Sequence, residues 1–225
     1  MSGEKAGTGA SAHAPGGLRE RKKQLTYQAV SDAAIAMFLA RGFDKVSVAE
    51  VAAAADISKP TLFRYFPTKE DLALHRFADH EDESARVVAG RAPEETPLAA
   101  LRRHFLAGLA ERDPVTGLCD APEVLAFHRL LYGTPALVAR LYAYQGRSEA
   151  ALAHALGGDG GGDGDGYGVA ERLAAGQIVA VLRILAEANW RRIDAGESAG
   201  QVYAEAVRAA DLAFAQLREG LERGR

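Results

Sequence analysis

The stretch Ser47–Lys69 reads SVAEVAAAADISKPTLFRYFPTK, and its punctuation decides the fold. Ser47 followed three residues later by Glu50 has the spacing of a capping box, so a helix opens at Val48, and the alanine-rich run carries it to Ala55. Asp56 is a residue type that tolerates the left-handed conformation of a sharp turn. Ser58 caps a second helix with Pro60 in its first turn, where a missing N–H costs nothing. Pro67 stops that helix, and Thr68-Lys69-Glu70-Asp71 is the capping signature of the next. Two short helices joined by a tight turn form a helix-turn-helix, whose second helix lies in the DNA major groove.

The side chains sort onto two faces in agreement. Val48, Val51, Ala52, Ile57, Leu62 and Phe66 are expected beneath the pair as a small core. Ser47, Ser58, Lys59, Pro60, Thr61, Arg64, Tyr65 and Lys69 are left outward or at helix ends. Lys59, Thr61 and Arg64 are expected at base edges or nearby backbone. Tyr65 and Lys69 are expected on phosphates, with Ser47 helping at the start of its helix and Pro60 shaping contacts near the start of the reading helix. Upstream, Leu18-Arg19-Glu20-Arg21-Lys22-Lys23 packs four cations into five residues. Arg21, Lys22 and Lys23 make either a solvated helix start or an arm following the DNA backbone, and both readings stand here.

From Gln24 to Leu72 the chain resembles the DNA-binding domain of TetR-family transcriptional regulators. The resemblance is carried by Ala40-Arg41-Gly42-Phe43 ending a first amphipathic helix, by Val46-Ser47-Val48-Ala49-Glu50-Val51-Ala52, by Ala55-Asp56-Ile57-Ser58, and by Thr61-Leu62-Phe63-Arg64-Tyr65-Phe66-Pro67-Thr68-Lys69-Glu70-Asp71-Leu72. Asp56 stands where the family usually has Gly, and Pro60 is less usual at its place. The resemblance implies an all-α homodimer paired through its last two helices, with two heads on the half-sites of a pseudo-palindromic double-stranded operator. It also implies a small-molecule effector bound in the body, release of the operator on binding, and most often a repressor.

Composition sets the frame. The 225 residues are 48% apolar, enough for a sizeable core, with no apolar run near the roughly 18 residues that span a bilayer. A polar, glycine-rich start without an apolar h-region and a single cysteine, Cys119, point to a reducing cytoplasm. From Leu18 to Arg76 there are ten Lys/Arg against seven Asp/Glu; from Phe77 onward there are sixteen Arg, no Lys and twenty-two Asp/Glu. A basic head on an acidic body is the charge division of a DNA reader with a separate non-DNA-binding part.

The expected organisation is a disordered arm over 1–17, the helix-turn-helix domain over 18–67, and a helical ligand-binding and dimerisation domain over 68–225. A Gly/Asp-rich loop lies at 157–168, and the whole holds about nine helices. The fourth is expected to run unbroken from Thr68 into the high eighties. Thr96-Pro97 and Thr134-Pro135 open two body helices, with Pro at the first helical position. The last two helices carry apolar residues on more than one face, and a second apolar face needs a second partner.

A body pocket is expected from Phe105, Leu109, Phe127, His128, Leu131, Tyr132, Leu141, Tyr142 and Gln145, with Arg183 set to meet a ligand anion or a buried carboxylate. Glu123 to Trp190, including Gly133-Thr134-Pro135-Ala136-Leu137, is similar to one TetR subgroup whose C-terminal domain is associated with acyl-CoA-like ligands. No cofactor is expected, and no metal either: Glu81, Asp82 and Glu83 beside His75 and His80 are consecutive and point apart on a helix. Phosphate loops, nucleophile elbows and metal-spaced Cys/His clusters are missing from the sequence, which disfavours an enzyme. A helical interaction protein without operator binding is the other alternative, disfavoured by the intact Thr61, Tyr65 and Lys69.

Overall fold

The computed structural model describes residues 15–157 and 167–222, with the side chains of 15–22, 78, 79 and 222 left out. Residues 1–14 of the expected arm, the side chains of Arg21 and Lys22, and most of the expected Gly/Asp loop therefore lie outside the described residues. Among the described residues every regular element is helical: α1 Pro15–Arg41, α2 Val48–Ala54, α3 Lys59–Tyr65, α4 Lys69–Leu74, a 3-10 segment His75–His80, α5 Glu83–Ala89, α6 Pro97–Glu111, a 3-10 turn Pro114–Thr116, α7 Pro122–Gly133, α8 Pro135–Gly157, α9 Val169–Asp194 and α10 Ala199–Glu222. None of these helices is long and apolar enough to cross a membrane. The first helix starts at Pro15, ahead of the expected start near Lys22, because proline fits the opening turn of a helix.

α1 buries Val30, Ala34, Ile35 and Phe38 along one stripe, and Ser31 Oγ on the same face donates to Leu72 O of α4 at 2.7 Å. Gly42, at φ 88°, ends α1 by donating its N–H to Phe38 O at 2.8 Å. That turn lays the Phe43 ring 4.9 Å from Phe38. Val51, Ala52, Leu62 and Phe66 close the head core as expected, with Val48 and Ile57 partly buried against it. The head core does not stop at residue 67. It continues through Leu72 and Leu74 and takes in Phe127, Leu131 and Leu137, so the corner between α7 and α8 packs into the head.

The fourth helix is not continuous, and this corrects the expectation. α4 ends at Leu74, six residues wind more tightly as a 3-10 segment, and α5 starts at Glu83. Aromatic anchors account for the break. His75 stacks on Tyr27 at 5.4 Å and meets Phe66 edge-on at 5.5 Å, which holds it to the head, while Phe77 reaches Phe127 at 6.0 Å, on the α7 end that packs into the head. A 3-10 run of this length is uncommon and marks a hinge more often than a strut. This break raises the expected nine helices to ten.

α8 lies between α5 and α9, and α10 packs on α6 and α9. α9 buries Ala175, Ile178, Leu185, Asn189 and Ile193 toward the body. Leu173 and Ile184 are 60% and 54% exposed on its other side, and Leu212 of α10 is 62% exposed. The expected second apolar face is therefore real and open in the single chain. α10 turns Val202, Ala206, Ala210, Phe214 and Leu217 inward.

Between α6 and α7 the chain passes very close to α9. Gly117 takes φ 73°, and a Cβ there would stand 1.9 Å from the main-chain oxygen of Ala186. Asn189 Nδ2 donates to Thr116 O at 2.9 Å across the same seam.

Asp56 holds φ 52°, the left-handed region. A non-glycine residue there costs roughly 1–2 kcal/mol, partly offset by its lower entropy in the unfolded chain. Asp56→Gly is therefore expected to stabilise the fold by about 0.5 kcal/mol, and Asp56→Val to cost more than about 1 kcal/mol, both read by chemical denaturation.

Candidate nucleic-acid interface and body cavity

The head is built by local capping. Ser47 Oγ accepts the Glu50 N–H at 3.2 Å and Glu50 Oε2 accepts the Ser47 N–H at 2.8 Å, with Arg41 Nη2 on Glu50 Oε1 at 2.8 Å. The Ser47 N–H and then the Arg41 guanidinium hold the Glu50 carboxyl down to about 2. Asp56 turns the chain, with Ile57 N–H donating to Ala52 O at 3.0 Å. Ser58 Oγ then accepts the Thr61 N–H at 3.2 Å and lies 2.8 Å from Thr61 Oγ1.

α3 buries only Leu62. Lys59, Pro60, Phe63 and Arg64 stand exposed, with Thr61 and Tyr65 half-buried beside them. Lys59 reaches over the Phe63 ring at 5.8 Å and Arg64 over the Tyr65 ring at 5.4 Å. Tyr65 packs 4.8 Å from Tyr27 of α1, whose ring Lys23 also covers at 5.8 Å. Lys69 folds back: its Nζ donates to Phe43 O at 2.6 Å and lies 4.2 Å from the Phe43 ring centre. Two cations, a hydroxyl and an aromatic edge on a short exposed helix suit a phosphate-walled groove.

The body holds a half-open cavity of about 200 Å³. Phe77, His80 and Glu83 line it from the hinge and α5, Leu101, His104 and Phe105 from α6, and Tyr132 from α7. Leu141, Tyr144, Gln145 and Ser148 line it from α8, and Val179, Leu182 and Arg183 from α9. On its wall Glu83 bridges two imidazoles, His80 Nδ1 at 2.8 Å and His104 Nε2 at 3.0 Å. Hydrogen bonding from His80, ahead of its charge and that of His104, holds the Glu83 carboxyl below the usual carboxylate range despite its burial. No group of three His, Cys, Asp or Glu among the described residues has the arrangement of a metal site.

One ion pair joins the cavity's helix to the head. Arg140 of α8 grips Asp71 of α4 with Nε to Oδ1 at 2.8 Å and Nη2 to Oδ2 at 3.1 Å. Asp71 is 5% exposed, and its Oδ2 also accepts the Thr68 N–H at 3.0 Å and hydroxyl at 2.8 Å. The same carboxylate thus caps α4 and anchors α8.

Residues 30–75, spanning the helix-turn-helix, match the family model described as bacterial regulatory proteins, tetR family. The HTH-type transcriptional regulator TcmR of Streptomyces glaucescens is 33% identical over 134 residues, which cover 59% of this chain and 58% of that protein. Over this helix-turn-helix stretch the chain is of TetR-family type. A putative mycofactocin biosynthesis transcriptional regulator, MftR of Mycobacterium tuberculosis, is 42% identical over 60 residues, covering 27% of this chain and 30% of the relative. The chain therefore spans little more than half of the first of these relatives, and less of the second. Among solved structures, the SmeT–triclosan complex shares the fold with a TM-score of 0.54 at 15% identity, covering 86% of this chain and 91% of that one. NalD of Pseudomonas aeruginosa, the secondary repressor of the MexAB-OprM multidrug efflux pump, does so with a TM-score of 0.53 at 16% identity, covering 84% and 97%.

In the body the structure brings five of the expected pocket residues to the cavity: Phe105, Tyr132, Leu141, Gln145 and Arg183. The other five sit elsewhere. Leu109 is core between α6 and its neighbours, and Leu131 and Phe127 belong to the head-side core. Tyr142, one residue and about 100° of helix past Leu141, is exposed. His128 is buried one turn behind Tyr132. Arg183 Nη1 meets Glu187 Oε2 at 3.3 Å, so it has found a carboxylate of its own helix.

Sequence reasoning missed His80, Glu83, His104 and Phe77 as cavity residues. His80 and Glu83 belong to the cluster of His75, His80 and Glu81 to Glu83 that the sequence offers only as a metal site, and no signal in it points to His104 or Phe77. Phe63 was missed as an exposed ring on the reading helix, 41% accessible.

Burial alone pushes the His128 imidazole down to about 4 from its ordinary value near 6.5. Below pH 6.5 the unfolded chain takes up a proton that the folded ring refuses until about pH 4. This group's contribution is therefore intact above pH 6.5 and is lost as pH falls across that window. His128→Leu is expected to remove about 2 kcal/mol of the stability difference between pH 7 and pH 4. Denaturant midpoints at both values, for parent and variant, measure it.

Proposed function

We propose that this chain is a cytoplasmic, homodimeric, DNA-binding repressor that leaves a pseudo-palindromic operator when a small, partly apolar effector fills the body cavity. The observation that carries the reading is α3: a capped helix seated on one buried leucine, with Lys59, Phe63 and Arg64 exposed along it and Thr61 and Tyr65 at its sides. Lys59, Thr61 and Arg64 reach base edges and adjacent backbone, and Phe63 offers an apolar edge to a thymine methyl. Tyr65 sets register on phosphate, and Ser47 and Ser58 fix the ends from which these side chains project. Lys69 spends one donor on Phe43 O and keeps two for a phosphate. Arg21, Lys22 and Lys23 are assigned to the DNA backbone on their sequence position alone.

The effector acts through a difference in affinity for two head spacings. Support comes from the hinge between α4 and α5 and from the Arg140–Asp71 pair, which places the cavity helix α8 and the head on one carboxylate. A cavity of about 200 Å³ suits a compact effector. An acyl-CoA-like ligand is the second class to test, entering by its acyl chain with its nucleotide outside.

Fluorescence anisotropy on the DNA upstream of the chain's own gene, at two salt concentrations against random duplex, tests the reading. Specific binding that saturates at two chains per site is expected. Lys59→Ala should weaken it and lower the salt slope by about one ion. Equal, weak binding to all duplexes, there and in a genome-wide selection, would remove operator recognition from the reading.

A further inference from the structure

Behind the Tyr132 wall of the cavity lie two ring nitrogens that no described protein group satisfies. His128 Nδ1 and Trp190 Nε1 are both buried without a hydrogen-bond partner, and His128 as a whole is only 6% exposed. The three rings form one cluster: Tyr132 to Trp190 at 4.6 Å, His128 to Tyr132 at 6.1 Å, and His128 to Trp190 at 6.1 Å and nearly perpendicular. An unmet buried donor or acceptor is costly and uncommon in a native fold, and two behind one wall of a cavity mark a place kept for a polar ligand atom.

We propose that the binding site continues past the Tyr132 ring, and that His128 and Trp190 there hold an oxygen of a neutral, ring-sized effector. The proposal rests on the reading of the cavity as the effector site. Size limits the ligand: an apolar cavity of about 150 Å³ holds benzene, so about 200 Å³ admits one or two fused rings. Charge limits it further. The indole N–H is an uncharged donor, and burial keeps the imidazole neutral at physiological pH. Arg183, a cation on the cavity wall, shares Glu187 with Arg191 and stands apart from the two ring nitrogens. A ligand anion placed at His128 and Trp190 would be desolvated beside two uncharged groups, and the Glu83 carboxylate that a cation would seek is engaged by two histidines. A phenol or hydroxyketone meets both nitrogens, giving its hydroxyl hydrogen to the imidazole and accepting the indole N–H.

Three probes on one ring system test this with the full chain and no DNA: naphthalene, 2-naphthol and 2-naphthoate. Calorimetry is expected to show 2-naphthol binding about tenfold tighter than either of the others, the ratio that one or two net hydrogen bonds supply. Trp190 is the sole tryptophan, so ¹⁵N-labelled protein gives a single indole resonance, which should move downfield with 2-naphthol and not with naphthalene. His128→Phe should keep naphthalene binding and erase the preference, with Trp190→Phe as the second variant if the first does not fold. An unmoved indole resonance at saturation, tightest binding of 2-naphthoate, a preference that survives in the folded variant, or no binding by any probe would each overturn the subsite. Operator recognition is read separately by anisotropy, so failure of either leaves the other standing.

Discussion

Gly117→Ala is expected to bring the body close to unfolding. Two costs add at this position. The backbone sits at φ 73°, where a Cβ is strained by roughly 1–2 kcal/mol. That Cβ would also stand 1.9 Å from the Ala186 carbonyl oxygen and 2.8 Å from its carbon, and both are main-chain atoms within α9 that cannot rotate aside. Overpacking against a yielding side chain costs about 1–3 kcal/mol, and a fixed backbone pushes the figure higher. A total of about 4 kcal/mol is a large share of the stability of any single domain. For a chain of this size it lowers the melting temperature by about 10 °C or more. Gly196→Ala is the control: it shares a positive φ, 102°, but has nothing within 4 Å of the new Cβ, so it should cost only about 1 kcal/mol. Equal melting temperatures for the two variants would mean that the loop does not press on α9 as described.

The largest functional effect is expected from Ile184→Asp combined with Leu212→Asp. Both side chains stand more than half exposed on the long helices α9 and α10 and contribute nothing to the core, so the folded protomer should survive with its helix content unchanged. If these faces pair two chains, four buried carboxylates at one interface would separate them. Two joined heads face each other's half-site at an effective concentration of about millimolar, so separating them should weaken operator binding by at least about 100-fold. Sedimentation velocity and operator titration on the same samples decide the matter. A variant that still sediments as a dimer would show that the chains meet through another surface.

The head was legible in the sequence because its signals are local. Ser47 with Glu50, Ser58 with Thr61, and Thr68 with Asp71 each specify a helix start within four residues, and all three caps form. The body helices were equally readable wherever Thr-Pro punctuation opened them. What failed was long-range. The break after Leu74 follows from His75 stacking on Tyr27, forty-eight positions away in the chain, and no helical propensity encodes that contact. The cavity was half legible for the same reason. On α8 Leu141 and Gln145 face the cavity as expected and Tyr142 does not, because which stripe faces a void and which faces core depends on neighbours. Leu109 and Leu131 have the same apolar pattern as Phe105 and Leu141, yet they are packed solid.

The six tightly wound residues His75–His80 have a kinematic consequence. A residue that relaxes from three to 3.6 per turn rotates everything beyond it by about 20° about the local axis and draws it in by about 0.5 Å. Screw motion of this kind converts a small axial push into a large swivel. An effector that moved the hinge by an ångström would need to rewind only two residues to turn each head by some tens of degrees, with α4 kept whole and the corner of α7 and α8 repacking against the head. The head would then behave as a key turned on a thread, not as a lever tilted on a fulcrum.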